Sequence, residues 1–377
     1  MQARAIEPPV IDTKVPASVM AATLSKDIQA LTGVRFFAAA WVVMFHFKDE
    51  FSKLLPTFKR IDPFVLQGSL AVPLFFILSG FILSHTYFSR YRLREHWKFI
   101  FLRFARLWPV HLATILVLLL YVGLIYAHSG AFKSDNFSFL VLPTELAMLR
   151  GWFSKDLIWN YPAWSIHCEW FAYLFVFPIA FVCFRNLLRP LVLISVIMML
   201  LCLHCFLPFN LPGRCMDILF LFLAGSALYR LRVLFSQRSV HWAGYLGVIV
   251  LALGLGTASV CSNFLIHLAF VLLILGLSYD NGILTKLFSQ KLVVYGGAIS
   301  YSIYMTHAVV GKFYGAIAGK LALKTEFECV FTFVLLVAAL IITPIVFYHF
   351  VEVPCNRALR AKVTWRKAKR EQALVSV

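Results

Sequence analysis

The feature that most constrains this chain is a succession of apolar stretches, each close to 20 residues long, separated by short polar connections. Roughly 20 apolar residues in a helix cross the ~30 Å hydrocarbon of a bilayer. Ten such stretches occur, at roughly 29–47, 64–88, 107–127, 161–184, 188–208, 212–230, 241–261, 263–279, 292–318 and 329–351. Hydrophobic residues make up 61% of the 377 and charged residues 14%, with a mean hydropathy of +0.83, far from a soluble domain. No intervening segment reaches the ~100 residues that a separate core needs. The sequence therefore predicts an all-α polytopic membrane protein, a single bundle of about ten transmembrane helices. The ninth stretch, "LVVYGGAISYSIYMTHAVVGKFYGAIAG", can break at its glycines.

Charge sets the orientation. With a cytoplasmic N-terminus, the inner connections carry about 23 Lys and Arg and the outer ones about 10. Both termini are therefore expected in the cytoplasm. Residues 1–27 lack the continuous apolar run of a secretory signal and read as a cytoplasmic segment. Residues 28–354 form the membrane domain and 355–377 a basic cytoplasmic tail. The formal net charge of +18 crowds into short loops and the tail, which favours membrane lipids with anionic headgroups as partner and argues against nucleic acid. The eight cysteines have no framework spacing, and most read as small apolar residues of helices. Cys202, His204 and Cys205 form "CLHC", but no second ligand cluster follows at a zinc spacing, so no metal is expected.

Ionisable groups at membrane depth each cost about 2.5 kcal/mol or more and need a partner, a cavity or a task. In "GVRFFAAAWVVMFHF", Arg35 and His46 are eleven positions apart, about 16 Å of rise and close to three turns, so they share a helix face at two depths. That stripe faces a cavity; the alternative has Arg35 reaching the inner headgroups and His46 at the outer interface. Glu169, in "YPAWSIHCEWFAYLFVFP", enters from the same outer side. A His–Glu pair suits general-base chemistry, although it equally suits a structural tie between two helices.

"FLRFARLWP" places Arg103 and Arg106 on one side of a helix at the cytoplasmic boundary, a spacing suited to phosphates. Arg214 and Asp217, three apart, are expected to pair. Gly68, Ser79 and Gly80 permit close helix approach, and Ser79 has no base beside it in sequence that would make it a nucleophile. Tyr304 and His307 share a face in "ISYSIYMTHAVV", and Glu352 in "YHFVEVP" is expected to hold a cytoplasmic arginine. The long outer connection 128–160 carries a candidate amphipathic helix around Pro143 to Trp152 that would lie on the bilayer surface or cover an outward cavity. No internal repeat is evident, which weakens a transporter of two related halves.

Six of these stretches, taken in order, resemble the acyltransferase 3 family of membrane-bound O-acyltransferases, which modify bacterial envelope glycans and some small molecules. They are "RFFAAAWVVMFH", "VPLFFILSGFI", "RFAR", "WSIHCEWFAY", "ISYSIYMTH" and "VEVP", running from about Leu31 to Pro354. The resemblance implies that His46 is catalytic with Glu169 its helper, that Arg35 lies along the donor path, and that Arg103 and Arg106 engage the phosphates of a cytoplasmic acyl-coenzyme A, acetyl-CoA by family frequency. Trp164, Ser165, Tyr304 and His307 fall to the acceptor side. The implied acceptor is a glycan or lipid-linked oligosaccharide of exopolysaccharide or lipopolysaccharide type, reached at the bacterial inner membrane. Pro73 and the basic loop Arg90 to Arg94 depart from the family pattern, and no fused esterase-like domain is expected. The competing reading is a multi-helix transporter of a glycan precursor or anionic metabolite.

Overall fold

The computed structural model describes residues 28–130, 137–157, 159–207, 213–236, 240, 242–257, 261–279, 282–318 and 325–362. All regular structure among them is helical. Helix α1 (Gln29–His46) breaks at Phe47 and turns by 70° into α2 (Lys48–Leu54), where Lys48, Asp49 and Glu50 end the apolar run. A helix that kept its direction would carry these charges further into hydrocarbon. Then follow α3 (Ala71–Tyr87), the 34-residue α4 (His96–Ser129) and α5 (Ala163–Phe171). Helix α5 continues through a π turn (Ala172–Val176) into Phe177–Phe184. The remainder comprises α6 (Pro190–Phe206), α7 (Cys215–Leu234), α8 (Ala243–Gly256), α9 (Ser262–Leu277), α10 (Lys291–Ala298), α11 (Ser300–Ala318) and α12 (Glu326–Phe347).

A helix lies at each of the ten apolar stretches, but among the described residues only four are long and apolar enough to cross a bilayer, or five if the bent α1–α2 pair is one span. Helices α6, α8 and α9 are apolar but have 17, 14 and 16 residues, short of a full crossing at 1.5 Å per residue. The ninth stretch does break, at Ile299, just past Gly296 and Gly297. Helix α12 runs on through a second π turn (Tyr348–Glu352) as far as residue 362, across the boundary expected at 354. The amphipathic helix expected around Pro143 to Trp152 is two short helices, Leu142–Leu146 and Arg150–Phe153, divided where Met148 takes a left-handed φ of 57°.

Helices α1, α3, α4, α5 and α11 enclose the interior, with α7 behind α3 and α10 behind α1. The α3–α7 contact is set by two glycines facing each other's backbone. A Cβ on Gly80 would collide with the Phe222 carbonyl, and one on Gly225 with the Ile77 carbonyl. Backbones in lipid approach this closely only where both side chains are absent, and the gain is dispersion contact rather than hydrophobic transfer. Gly225→Leu should therefore push α7 off α3 and lower both folded yield and thermal unfolding midpoint in detergent. Gly123→Ala, where nothing lies within 4 Å of the new carbon, should leave the midpoint unchanged or raise it slightly, since alanine favours helix by about 1 kcal/mol.

Candidate active site

Between α1, α3, α4, α5 and α11 lies a cavity of about 100 Å³, room for roughly seven to ten waters at 10–15 Å³ each. Its apolar wall comes from Val72, Phe75, Phe76 and Leu78 of α3, and its polar lining includes Arg35, Arg103, Arg106, Ser165, Glu169 and Tyr304. Three cations against one carboxylate leave it positive. Arg103 is partly occupied: its guanidinium donates to the Tyr87 hydroxyl at 2.8 Å and stacks on the rings of Tyr87 and Phe99. The guanidinium groups of Arg35 and Arg106 make no hydrogen bond or ion pair among the described residues. Glu169 accepts from the Ser79 hydroxyl at 2.9 Å and from the Tyr173 hydroxyl. At the far end, Ser165 is hydrogen-bonded to the Tyr304 hydroxyl at 2.8 Å.

Beyond Tyr304 come the two histidines that the sequence singled out. The rings of His307 and His46 stack with centroids 5.0 Å apart, and Tyr161 closes on both at 5.6 and 4.9 Å. Their protons follow from their partners. His46 Nδ1 lies 3.0 Å from the Val42 carbonyl, which only accepts, so Nδ1 carries the hydrogen. His307 Nδ1 likewise faces the Ile303 carbonyl at 3.3 Å. His307 Nε2 is then an acceptor, 3.2 Å from His46 Nδ1, and shares its proton. His46 Nε2 is left with a free lone pair on a ring that stays exposed, whereas His307 is buried.

Several expected residues are therefore together, though in partnerships the sequence did not indicate. Arg35, Arg103, Arg106, Glu169, Ser165 and Tyr304 share one cavity; His46 and His307 pair just outside it. No hydrogen bond joins His46 to Glu169 among the described residues, so the expected dyad is replaced by a pair of imidazoles. Trp164 does not line the cavity and lies under the Arg214 guanidinium, 4.9 Å from its centroid. Arg214 also donates to the Lys155 carbonyl at 3.0 Å; the side chain of Asp217, its expected partner, lies outside the described residues. Glu352 is buried and accepts from Ser302 at 2.7 Å; Arg106 and Arg35 act on it electrostatically, with no hydrogen bond to either among the described residues. Ser79, Tyr173, Tyr87 and Tyr161 received no role in the sequence reading beyond helix packing for Ser79, because a hydroxyl in an apolar helix gives no signal until its partner is known.

A family model described as an acyltransferase domain matches residues 28–349. The chain belongs to the acyltransferase 3 family. It is similar to acyltransferase MdmB of Streptomyces mycarofaciens, 29% identical over 157 residues, which is 40% of this chain and 38% of that protein. It is also similar to protein 2 in the picA locus of Rhizobium radiobacter, 33% identical over 119 residues, 31% of this chain and 57% of that one. The matched regions thus cover less than two thirds of either relative. No solved structure matches the chain significantly.

Behind its cavity the chain carries a second polar cluster, half of it in the 137–157 connection, where no helical periodicity announces it. His111 Nε2 donates to the Glu145 carbonyl at 2.7 Å, and Gly151 N–H donates to His167 Nδ1 at 3.1 Å, which leaves the Nε2–H of His167 facing the Glu145 carboxyl at 3.5 Å. Trp152 donates to the His167 carbonyl at 2.7 Å and Trp108 to the Leu146 carbonyl at 3.1 Å. The connection is thereby fastened to the outer side of the helix that bears Ser165 and Glu169. Burial pushes the Glu145 carboxyl up to about 8, against the opposing pull of Arg150. A carboxyl raised on folding binds its proton in the folded state between its unfolded value, about 4.3, and about 8, so stability falls as pH rises through that window and is flat above it. Glu145→Gln stays neutral and leaves His111, His167 and Arg150 in place. Thermal unfolding midpoints at pH 5.5 and 8.5 should diverge in the variant's favour at the higher pH; an equal difference at both values would show that Glu145 does not titrate there.

Proposed function

We propose that this membrane acyltransferase moves an acyl group, most simply acetyl, from cytoplasmic acyl-CoA to a hydroxyl of an envelope glycan or lipid-linked oligosaccharide. The reading places it in the bacterial cytoplasmic membrane as a bundle of about ten spans with both termini inside. The observation that carries it is the pair of cations, Arg35 and Arg106, with no hydrogen bond or ion pair among the described residues, in a cavity that ends beside the His46–His307 pair. Unpaired buried charge is costly unless a ligand of opposite charge completes it. The phosphates of coenzyme A supply charge of the opposite sign to the arginines that line the cavity, and its slender acyl-bearing arm runs on past them.

In this mechanism Arg103 and Arg106 hold phosphates, Arg35 donates to an amide carbonyl of the uncharged arm, and Glu169, fixed by Ser79 and Tyr173, offsets part of the positive charge. His46 Nε2 removes the acceptor hydroxyl's proton. The resulting imidazolium is stabilised through Nδ1–H by the Val42 carbonyl and His307 Nε2, the part the carboxylate plays in a Ser-His-Asp arrangement. The oxygen attacks the thioester carbonyl and the coenzyme thiolate leaves, taking the proton back from His46. Tyr304 is the better oxyanion donor than Arg35, because it lines the cavity end next to His307 while Arg35 is about 16 Å along α1 from His46. For an acceptor to meet the thioester, the Ser165–Tyr304 contact must open.

Purified protein in lipid nanodiscs, given labelled acetyl-CoA and envelope glycans from cells lacking the gene, should label the glycan. His46→Ala should lower kcat at least ~10²-fold with unchanged membrane insertion; a full rate would remove His46 from the mechanism. Arg106→Ala should instead raise KM for acetyl-CoA about tenfold or more with kcat within a few-fold, the pattern of lost ground-state binding.

A further inference from the structure

Two cysteines from different helices meet next to Glu169. Cys215, the first residue of α7, donates its thiol hydrogen to Cys168 of α5 with the sulfurs 3.2 Å apart, and its second neighbour is the Gly151 carbonyl at 3.6 Å. Neither is in a disulfide, and Cys215 and Cys168 are 6% and 0% exposed. No other two cysteine sulfurs are in hydrogen-bond contact among the described residues. A disulfide needs the sulfurs at about 2.05 Å, roughly 1.2 Å closer, a movement within reach of small side-chain rotations when the thiols already touch.

We propose that Cys168 and Cys215 are a disulfide-forming pair whose oxidation staples α5 to α7. Molecular oxygen suits it as oxidant, being small and apolar enough to enter a lipid-embedded interior. The two thiols lose two electrons and two protons as the S–S bond forms, and oxygen takes all four to leave as hydrogen peroxide. The staple has a defined structural effect. Cys168 precedes Glu169 on α5; Cys215 opens α7, which is locked to α3 at Gly80 and Gly225; and α3 carries Ser79, which donates to Glu169. The bond closes that circuit covalently around the carboxylate. Because both sulfurs are buried, large thiol reductants reach the bond poorly once the helices have closed.

The full-length protein in its membranes would be treated with copper–phenanthroline in air, denatured, alkylated, digested and analysed by mass spectrometry. A peptide joining Cys168 to Cys215, cleaved by dithiothreitol and lost in Cys168→Ser and Cys215→Ser but kept in Cys202→Ser, is expected. The oxidised protein should unfold several degrees higher than the reduced, with no such difference in Cys215→Ser. Full alkylation of both cysteines after oxidation would overturn the pair, and a crosslink without the upward shift would overturn the staple. Because neither readout uses acyl transfer, either failure leaves the proposed reaction untouched.

Discussion

The architecture depends on keeping guanidinium groups inside an apolar bundle. An isolated charge at membrane depth is tolerated only in a cavity or with a partner, and here the solution is shared. Arg103 is held by aromatic faces and a phenol, while Arg35 and Arg106 face space that also holds Glu169. That space exists because α3 is drawn onto α7 and α1 onto α10 by glycine contacts, including Gly297 against the Thr32 carbonyl. Close packing on the outer side of α1 and α3 thus coexists with a polar gap on their inner side.

Around the histidines the selection is different. A carboxylate beside His46 would fix its tautomer and also add charge to a thinly solvated place. Two backbone carbonyls, Val42 and Ile303, achieve the same orientation with no added charge, and His307 then serves as a neutral acceptor. The arrangement orients both imidazoles with no carboxylate bonded to either among the described residues, although Glu50 brings a formal charge within electrostatic reach of Tyr161, which packs on His46.

Much of the site was legible because polar groups stand out in apolar helices: Arg35, His46, Arg103, Arg106, Glu169 and His307 were all identifiable from the segments that contain them. Their pairings were not, since the His46–His307 contact joins residues 261 apart and depends on how α1 and α11 cross. The Glu169–Ser79 bond likewise joins residues 90 apart, on α5 and α3. Helix positions followed from hydropathy, but helix length did not. Stretches that read as ~20 apolar residues include the shorter α8 and α9, and the amphipathic pattern after Pro143 concealed a left-handed residue at Met148. The cluster of Glu145, His111 and His167 combines a carboxyl from the short helix Leu142–Leu146 with imidazoles from two long helices, a union no periodicity announces.

The two π turns carry a consequence for how such a chain can change over time. Each holds one residue more than an α turn requires, and each bears a polar group of the interior: Tyr173, which donates to Glu169, and Glu352, which accepts from Ser302. Loss of a single amino acid at either place would restore a regular helix and leave the later side chains close to their present faces, because the wide turn takes up the extra residue. A one-residue deletion at either turn should consequently be felt locally, at the hydroxyl of Tyr173 or the carboxylate of Glu352, while the faces beyond it persist; these two turns are where each helix can shed a residue without refacing its remainder.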